Sequence, residues 1–98
     1  MQIKIHRSYR NVIAIADSEL VGKKFEEGKF QLDVRENFYK DNEVTKEELI
    51  KIIERHAMED STFNIVGEES IKAAIEAGLI SKEAVRKIAG IPFTLTLV

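Results

Sequence analysis

Cysteine is absent from the 98 residues of this chain, as is tryptophan, and there is only one proline. The absence of cysteine excludes disulfides, thiolate metal sites and cysteine nucleophiles. No apolar run reaches the length of about 20 residues that a membrane-spanning helix needs. The first residues, MQIKIHRSYR, alternate in polarity and lack the apolar segment of a signal peptide. We therefore expect a cytoplasmic protein without a membrane segment.

Neither sign of charge dominates the sequence. Charged residues make up 33% of the chain, but the net charge is only −2. This weak acidity argues against nucleic-acid binding that is driven by the whole surface. The first 40 residues are nevertheless net positive, whereas residues 41–61 are net negative. A local basic surface near the N-terminus is compatible with this distribution, and the high charge content without cysteine favours a thermophilic source.

Three segments in the first third of the chain have the patterns of β-strands. Residues 2–7 alternate between apolar and polar side chains, which is typical of a half-buried strand. Residues 12–16 are continuously apolar and indicate a strand that is covered on both faces and forms a hairpin with the first. Asp17 is predicted to cap a short helical turn over residues 19–21. Residues 30–34 alternate again and predict a third strand.

The stretch of residues 62–80 predicts the centre of the fold. Residues 63–66 form a short apolar strand, Gly67 supplies a turn, and a helix runs from about residue 68 to residue 78. At about 100° per residue, the side chains of this helix leave only a thin polar stripe. A helix that is apolar over most of its circumference is buried. We therefore expect it to pack on more than one side.

A second helix is predicted just before this stretch. Thr45 begins it with a capping box, because the hydroxyl can accept a first-turn N–H while Glu48 reaches back to the Thr45 N–H. His56 lies in the middle of its apolar stripe. Such a histidine is either a buried structural residue or a base with a shifted pKa, and we favour the structural role.

The last part of the chain predicts one more helix and one more strand. Ser81 can cap a helix over residues 82–89, and residues 91–97 alternate as a strand does. The order of elements therefore predicts a single α+β domain over residues 1–98. We expect one mixed sheet of about five strands with about three helices, mainly on one face of the sheet.

Several short motifs occur in an order that resembles a known family. They are residues 19–23 (ELVGK) with Phe25 and Gly28, residues 64–67 (NIVG), Ala74, residues 78–80 (GLI) and residues 88–92 (IAGIP). In this order and spacing the chain resembles the archaeal family known as domain of unknown function 424. The resemblance covers nearly the whole chain and implies an archaeal source, a single small domain and no assigned activity. Many relatives carry histidine after the proline, where this chain has Phe93.

The turn between the first two strands is a candidate nucleic-acid surface. Arg7 and Arg10 flank the aromatic ring of Tyr9, and Lys23 and Lys24 follow in the next loop. A single-stranded RNA could stack a base on Tyr9 and form ion pairs between its phosphates and these cations. The alternative interpretation is an ordinary solvated hairpin turn.

The strand-to-helix turn at Gly67 is a second candidate site, for an anion. Asn64 to Gly67 precede a helix whose first N–H groups favour negative charge. One glycine falls short of a phosphate-binding fingerprint, and Glu68 and Glu69 repel an anion. The alternative is that Gly67 makes a tight turn and the glutamates complement the helix dipole.

These observations favour a non-enzymatic binding or adaptor domain, RNA- or translation-associated in its sharpest form. One alternative is a small enzyme or ligand-binding domain that uses the Gly67 turn. Another is a subunit of a protein complex, with the acidic helix around residues 46–59 binding a basic protein partner. No spacing of His6 and His56 suggests a metal site, and we expect no cofactor.

Overall fold

Eight strands and three helices form three layers in the computed structural model, which describes residues 1–98. The strands are β1 (Gln2–His6), β2 (Asn11–Ala16), β3 (Lys24–Glu27), β4 (Phe30–Asp33), β5 (Asn42–Glu43), β6 (Ser61–Val66), β7 (Arg86–Ile88) and β8 (Ile91–Leu97). The helices are α1 (Glu36–Tyr39), α2 (Lys46–His56) and α3 (Glu68–Glu76). None of these helices has the length and apolar character that crossing a bilayer requires.

Six strands form the central sheet in the order β5-β1-β2-β6-β8-β7. β2 and β6 are parallel, and every other neighbouring pair is antiparallel. The sheet is therefore mixed, and the predicted α+β class is confirmed. β2 and β6 lie in the middle of the sheet, and each contributes buried apolar side chains to both faces.

The first face of the sheet is covered by α2 and α3. Alternate side chains of β2 and β6 point to this face, among them Ile13, Ile15, Phe63 and Ile65, and none of these is exposed. Their partners in this cluster are Leu49 and Ile53 of α2 and Ile71, Ala73 and Ala74 of α3. α3 contacts α2, β6 and β8, so the prediction of a helix packed on several sides is confirmed.

The second face is covered by the β3–β4 hairpin and by α1. The small residues Ala14 and Ala16 of β2 leave room for Leu32, Val34 and Tyr39, which complete a second apolar cluster. The predicted strand over residues 30–34 therefore exists, but it pairs with β3 in a separate two-stranded sheet. Burial raises the pKa of the Tyr39 hydroxyl to about 12, and the nearby Asp33 carboxylate adds to this effect.

The predicted helix over residues 82–89 is wrong. Only Lys82–Ala84 turn, as a short 3₁₀ segment, and β7 follows at once. β7 joins β8 through a two-residue turn in which Ala89 and Gly90 have φ angles of 52° and 79°. Two positive φ values are characteristic of the type I′ turn that matches the twist of antiparallel strands. This pairing with β8 prevails over the helical pattern of the segment.

The N-terminal cap of α2 and the C-terminal end of α3 agree with the sequence prediction. The Thr45 hydroxyl accepts a bond from the Glu48 N–H at 3.2 Å, and the Glu48 carboxylate accepts one from the Thr45 N–H at 2.8 Å. The bond from the Thr45 N–H is the main cause that holds the pKa of Glu48 below its ordinary value. α3 ends at Glu76, and Gly78, with a φ of 79°, supplies the left-handed residue that follows.

Candidate binding surface

The turn between β1 and β2 projects an aromatic ring from one end of the sheet. Tyr9 is fully exposed at the tip of this turn, and the neighbouring Arg7 is exposed as well. Ser8 stabilises the turn, because its hydroxyl donates a hydrogen bond to the Arg10 carbonyl at 2.5 Å. The phenol ring and one guanidinium group are therefore open to a ligand from the same turn.

Arg10 has a different environment, because its guanidinium group points back along the sheet. Its Nε donates to the Thr62 hydroxyl at 2.9 Å, and its terminal nitrogen donates to the carbonyl oxygens of Ser61 at 2.9 Å and Val98 at 2.6 Å. These bonds tie the β1–β2 turn to the start of β6 and the end of β8. We therefore assign Arg10 a structural role, which leaves Arg7 as the free guanidinium of this turn.

Lys23 and Lys24 are exposed, but they belong to another part of the fold. Lys24 pairs with Asp33 in the two-stranded sheet, and the Lys23 carbonyl accepts the Val34 N–H at 2.9 Å. Arg7 and Tyr9, by contrast, belong to the turn of the central sheet. The lysines therefore present charge from a second structural unit, and they do not flank Tyr9 as Arg7 does.

The N-terminus of α3 is occupied by a side chain of the protein itself. Asp17 follows β2, is only 4% exposed, and lies beside Gly67 at the end of the parallel strand β6. Its carboxylate accepts bonds from the N–H groups of Glu69 at 3.1 Å and Ser70 at 2.8 Å, and from the Ser70 hydroxyl at 2.7 Å. Asp17 therefore caps α3, whereas it makes no side-chain bond to the turn at residues 18–20.

This internal cap bears on the predicted anion site. The carboxyl ends of adjacent parallel strands are a common ligand site in α/β proteins, but here Asp17 takes the free amides. The adjoining cavity of about 200 Å³ is lined by Asp17, Glu19, Glu68 and Glu69 among others, so its walls are acidic. Asn64 lies within β6, between Ala14 and Leu95. An external anion at Gly67 would have to replace the Asp17 carboxylate.

The two histidines lie on opposite faces of the sheet. His6 stacks on Phe38 with ring centroids 4.6 Å apart, and its Nε2 lies 2.8 Å from the Phe38 carbonyl oxygen. His56 belongs to α2 on the other face and is 7% exposed. No group of three or more histidine, aspartate or glutamate side chains is arranged to hold a metal ion.

His56→Leu should leave the free energy of unfolding unchanged or raise it. The Nδ1 atom of His56 is buried without a hydrogen-bond partner, and the nearest carboxylate oxygen, on Glu59, is 3.8 Å away. Leucine fills a similar volume without the unpaired polar atom, so we expect the free energy of unfolding to rise by up to about 1 kcal/mol. Urea denaturation of both proteins measures it. A folded variant that is less stable by a similar amount would contradict the conclusion that the buried Nδ1 atom of His56 lacks a stabilising partner.

Sequence reasoning missed the long-range polar contacts of two residues, Asp17 and Arg10. Asp17 was predicted to cap the segment that follows it, and Arg10 was predicted to face solvent. Their partners lie about 50 and 90 positions further along the chain. No local pattern reports such contacts. In the sequence, the only indication of these contacts is that Arg10 and Asp17 directly precede and follow the buried strand β2.

These features define a small three-layered α+β domain, in which a mixed sheet separates two helices from a hairpin. The chain belongs to the family described as a protein of unknown function (DUF424), whose model matches residues 6–97. The resemblance found in the sequence is thereby confirmed. At the position after Pro92, Phe93 packs against the second apolar cluster.

One solved structure with the same fold comes from an archaeon. The chain is similar to an uncharacterized conserved protein from Methanopyrus kandleri, with a TM-score of 0.89 and 20% sequence identity. The alignment covers 99% of this chain and 90% of that one. At this level of identity the likeness shows the fold alone. No curated protein matches the chain.

Proposed function

We propose that this protein is a non-catalytic binding domain and that it binds single-stranded RNA through the β1–β2 turn. The observation that carries the proposal is the fully exposed ring of Tyr9 in the same turn as the exposed side chain of Arg7. An aromatic side chain in water offers a face on which any base can stack. The guanidinium of Arg7 can pair with a phosphate through two parallel hydrogen bonds.

The turn is also held in place before any ligand arrives. The three bonds of Arg10 fix its base to β6 and β8, and the Ser8 hydroxyl closes its tip. A platform that is already ordered loses little conformational entropy when a base stacks on it. This structural use of Arg10 supports a site in which Tyr9 contributes stacking and Arg7 contributes charge.

The charge distribution limits the strength of such binding. The net charge is −2, and the free cation of the turn is Arg7 alone. The logarithm of the binding constant for a single strand changes with the logarithm of salt by about −0.7 per phosphate neutralised. One or two phosphate contacts therefore give a shallow slope of about −1. We place this weak and local binding in the cytoplasm, which the absence of cysteine supports.

Tyr9→Ala should weaken binding to a short single-stranded RNA by about tenfold at every salt concentration, because it removes one base-stacking contact. Arg7→Gln should instead reduce the salt slope by about 0.7, because one phosphate contact is lost. Fluorescence anisotropy with a labelled RNA, titrated at several low salt concentrations, measures both quantities. The two variants thereby separate stacking from charge.

Phe30→Ala is the matched control for this experiment. Phe30 is also an exposed aromatic residue, at 69%, but it lies next to the turn of the two-stranded sheet. Its removal should leave RNA binding unchanged. Absence of RNA binding by the wild-type protein at low salt would refute the proposal, as would equal losses in Phe30→Ala and Tyr9→Ala. A basic protein partner for the acidic surface of α2 would then be the leading candidate.

A further inference from the structure

A cavity of about 280 Å³, the α3–β7 pocket, lies on the first face of the sheet between α3 and the segment of residues 82–87. The α3 side chains that line it have the spacing i, i+3, i+4, i+7, which places them on one side of a helix. They are Glu68, Ile71, Lys72 and Ile75. One side of α3 therefore forms a wall of the pocket along two turns of the helix.

The opposite wall is formed by the 3₁₀ segment together with β7 and β8. Ile88 belongs to the second apolar cluster, so the preceding residue, Lys87, lies on the first face of the sheet. Pro92 is the partner of Lys87 across the strand pair and shares this face. The Thr94 hydroxyl donates a hydrogen bond to the Ala84 carbonyl at 3.1 Å, which holds the 3₁₀ segment against β8. The pocket is therefore bounded by elements that the fold already fixes.

The floor of the pocket is aliphatic. Ile71 is buried in the first apolar cluster, and Ile75 and Val85 pack against this cluster but remain partly exposed. Covering such side chains with an apolar group is favourable, because it removes their surface from water. No aromatic residue lines the pocket, so it offers no ring on which a nucleic-acid base can stack. The floor therefore suits an aliphatic group.

The rim of the pocket is basic, although the chain as a whole is acidic. Three of the eight lining residues are exposed lysines: Lys72, Lys82 and Lys87. None of these lysines takes part in an ion pair. Glu68 is the one acidic residue of the lining, and Glu76 further along α3 is paired with Lys46 of α2 at 3.3 Å. The lining therefore has a formal charge of +2, which favours a negatively charged ligand.

We propose that the α3–β7 pocket binds a small organic anion whose aliphatic body covers the floor and whose carboxylate faces the three lysines. A lysine ammonium is a compact charge on a flexible stem, so it can pair with a carboxylate in several geometries. The volume of about 280 Å³ is close to the lower limit of roughly 300 Å³ for pockets of drug-sized ligands. The ligand should therefore be smaller than such molecules.

The size of the lining favours a small molecule over a protein partner. A stable protein interface involves about 20–30 residues on each side, whereas eight residues line this pocket. The inference is also independent of the RNA-binding proposal. It concerns the side of the sheet that carries α3, together with aliphatic and lysine side chains, and it uses no residue of the β1–β2 turn.

An NMR titration of backbone amides at low ionic strength tests the pocket with octanoate as the probe. The signals that shift should belong to residues of the pocket, among them Ile75, Val85 and Lys87. Octanoate should bind about tenfold or more tightly than butanoate, because four additional methylene groups cover the floor. Octanol has the same chain without the charge, so it should bind about fivefold more weakly than octanoate.

The double variant Lys72→Gln/Lys82→Gln should weaken octanoate binding by about tenfold and leave octanol binding within about twofold of the wild type. Both lysines are exposed, so the variant should remain folded. Lys51→Gln is the matched control, because Lys51 is an exposed lysine of α2 that does not line the pocket. Its affinity for octanoate should equal that of the wild type.

Three results would overturn the proposal. The first is the absence of saturable octanoate binding, or amide shifts that lie outside the pocket. The second is equal affinity for octanoate and octanol, or for octanoate and butanoate, because the lysines or the floor would then contribute nothing. The third is saturable binding of a glutamate-rich peptide without binding of octanoate, which would assign the pocket to an acidic protein partner.

Discussion

Gly67→Ala should lower the free energy of unfolding by about 4 kcal/mol or more. Gly67 has a φ of 109° and a ψ of 155°, in a region that is essentially restricted to glycine. A Cβ atom at this position would lie 2.3 Å from the Asp17 Cγ and within 3 Å of both carboxylate oxygens. The alanine would therefore strain the backbone and displace the carboxylate that caps α3. Urea denaturation measures the loss.

Gly78→Ala is the appropriate comparison. Gly78 also has a positive φ, of 79°, but a Cβ atom there would meet no neighbour within 4 Å. Only the left-handed conformation is then penalised, at about 1–2 kcal/mol. A second control is Gly67→Ala in an Asp17→Ala background, where the clash is absent and the additional loss should be smaller. Equal losses in Gly67→Ala and Gly78→Ala would contradict the role assigned to Asp17.

Ala74→Glu should prevent folding or lower the free energy of unfolding by more than about 4 kcal/mol. Ala74 is completely buried in the cluster between α3 and the sheet, and the cluster contains no basic side chain. A carboxylate there would lose its hydration without gaining a partner. Lys72→Glu, on the exposed side of the same helix, should change the stability little. Comparable melting temperatures for the two variants would contradict the buried position of α3.

The parts of the fold that the sequence predicted are those fixed by neighbouring residues. Thr45 and Glu48 are three positions apart, and their reciprocal bonds form within the first turn of α2. Gly78 ends α3 through bonds to the turn just before it. The two hydrophobic periodicities, for helix and for strand, were likewise sufficient to predict the α+β class. In each case the signal and the structure that it specifies lie within one short segment.

The wrong prediction concerned a segment whose structure depends on a distant partner. Residues 82–89 have apolar side chains at helical spacing, but Ile88 pairs with Ile91 across the turn at Ala89 and Gly90. β8 in turn requires β6 as its other neighbour. The separate pairing of β3 with β4 is a similar case, because nothing in the alternation of residues 30–34 says which sheet they join.

The candidate site was predictable only in part, for the same reason. The exposure of Arg7 and Tyr9 follows from their place in a polar turn, and the structure has both in solvent. Arg10 has the same local sequence context, but its guanidinium bonds to Ser61, Thr62 and Val98. The cap of α3 could not be predicted either, because Asp17 and Ser70 come into contact only when β2 and β6 are paired. Neither the Arg10 hydrogen bonds nor the Asp17 cap produces a periodic pattern in the sequence.

The parallel pairing of β2 with β6 also determines when a newly made chain can fold. β2 supplies one half of the sheet's centre, but its partner begins at Ser61. A two-stranded hairpin is at best marginally stable in water, so β1 and β2 alone cannot hold their shape. We therefore expect the first 60 residues to remain largely unfolded during synthesis until β6 leaves the ribosome. The domain should then fold in one cooperative step. Its folding rate should be lowered by the entropy cost of closing the long chain segment between β2 and β6.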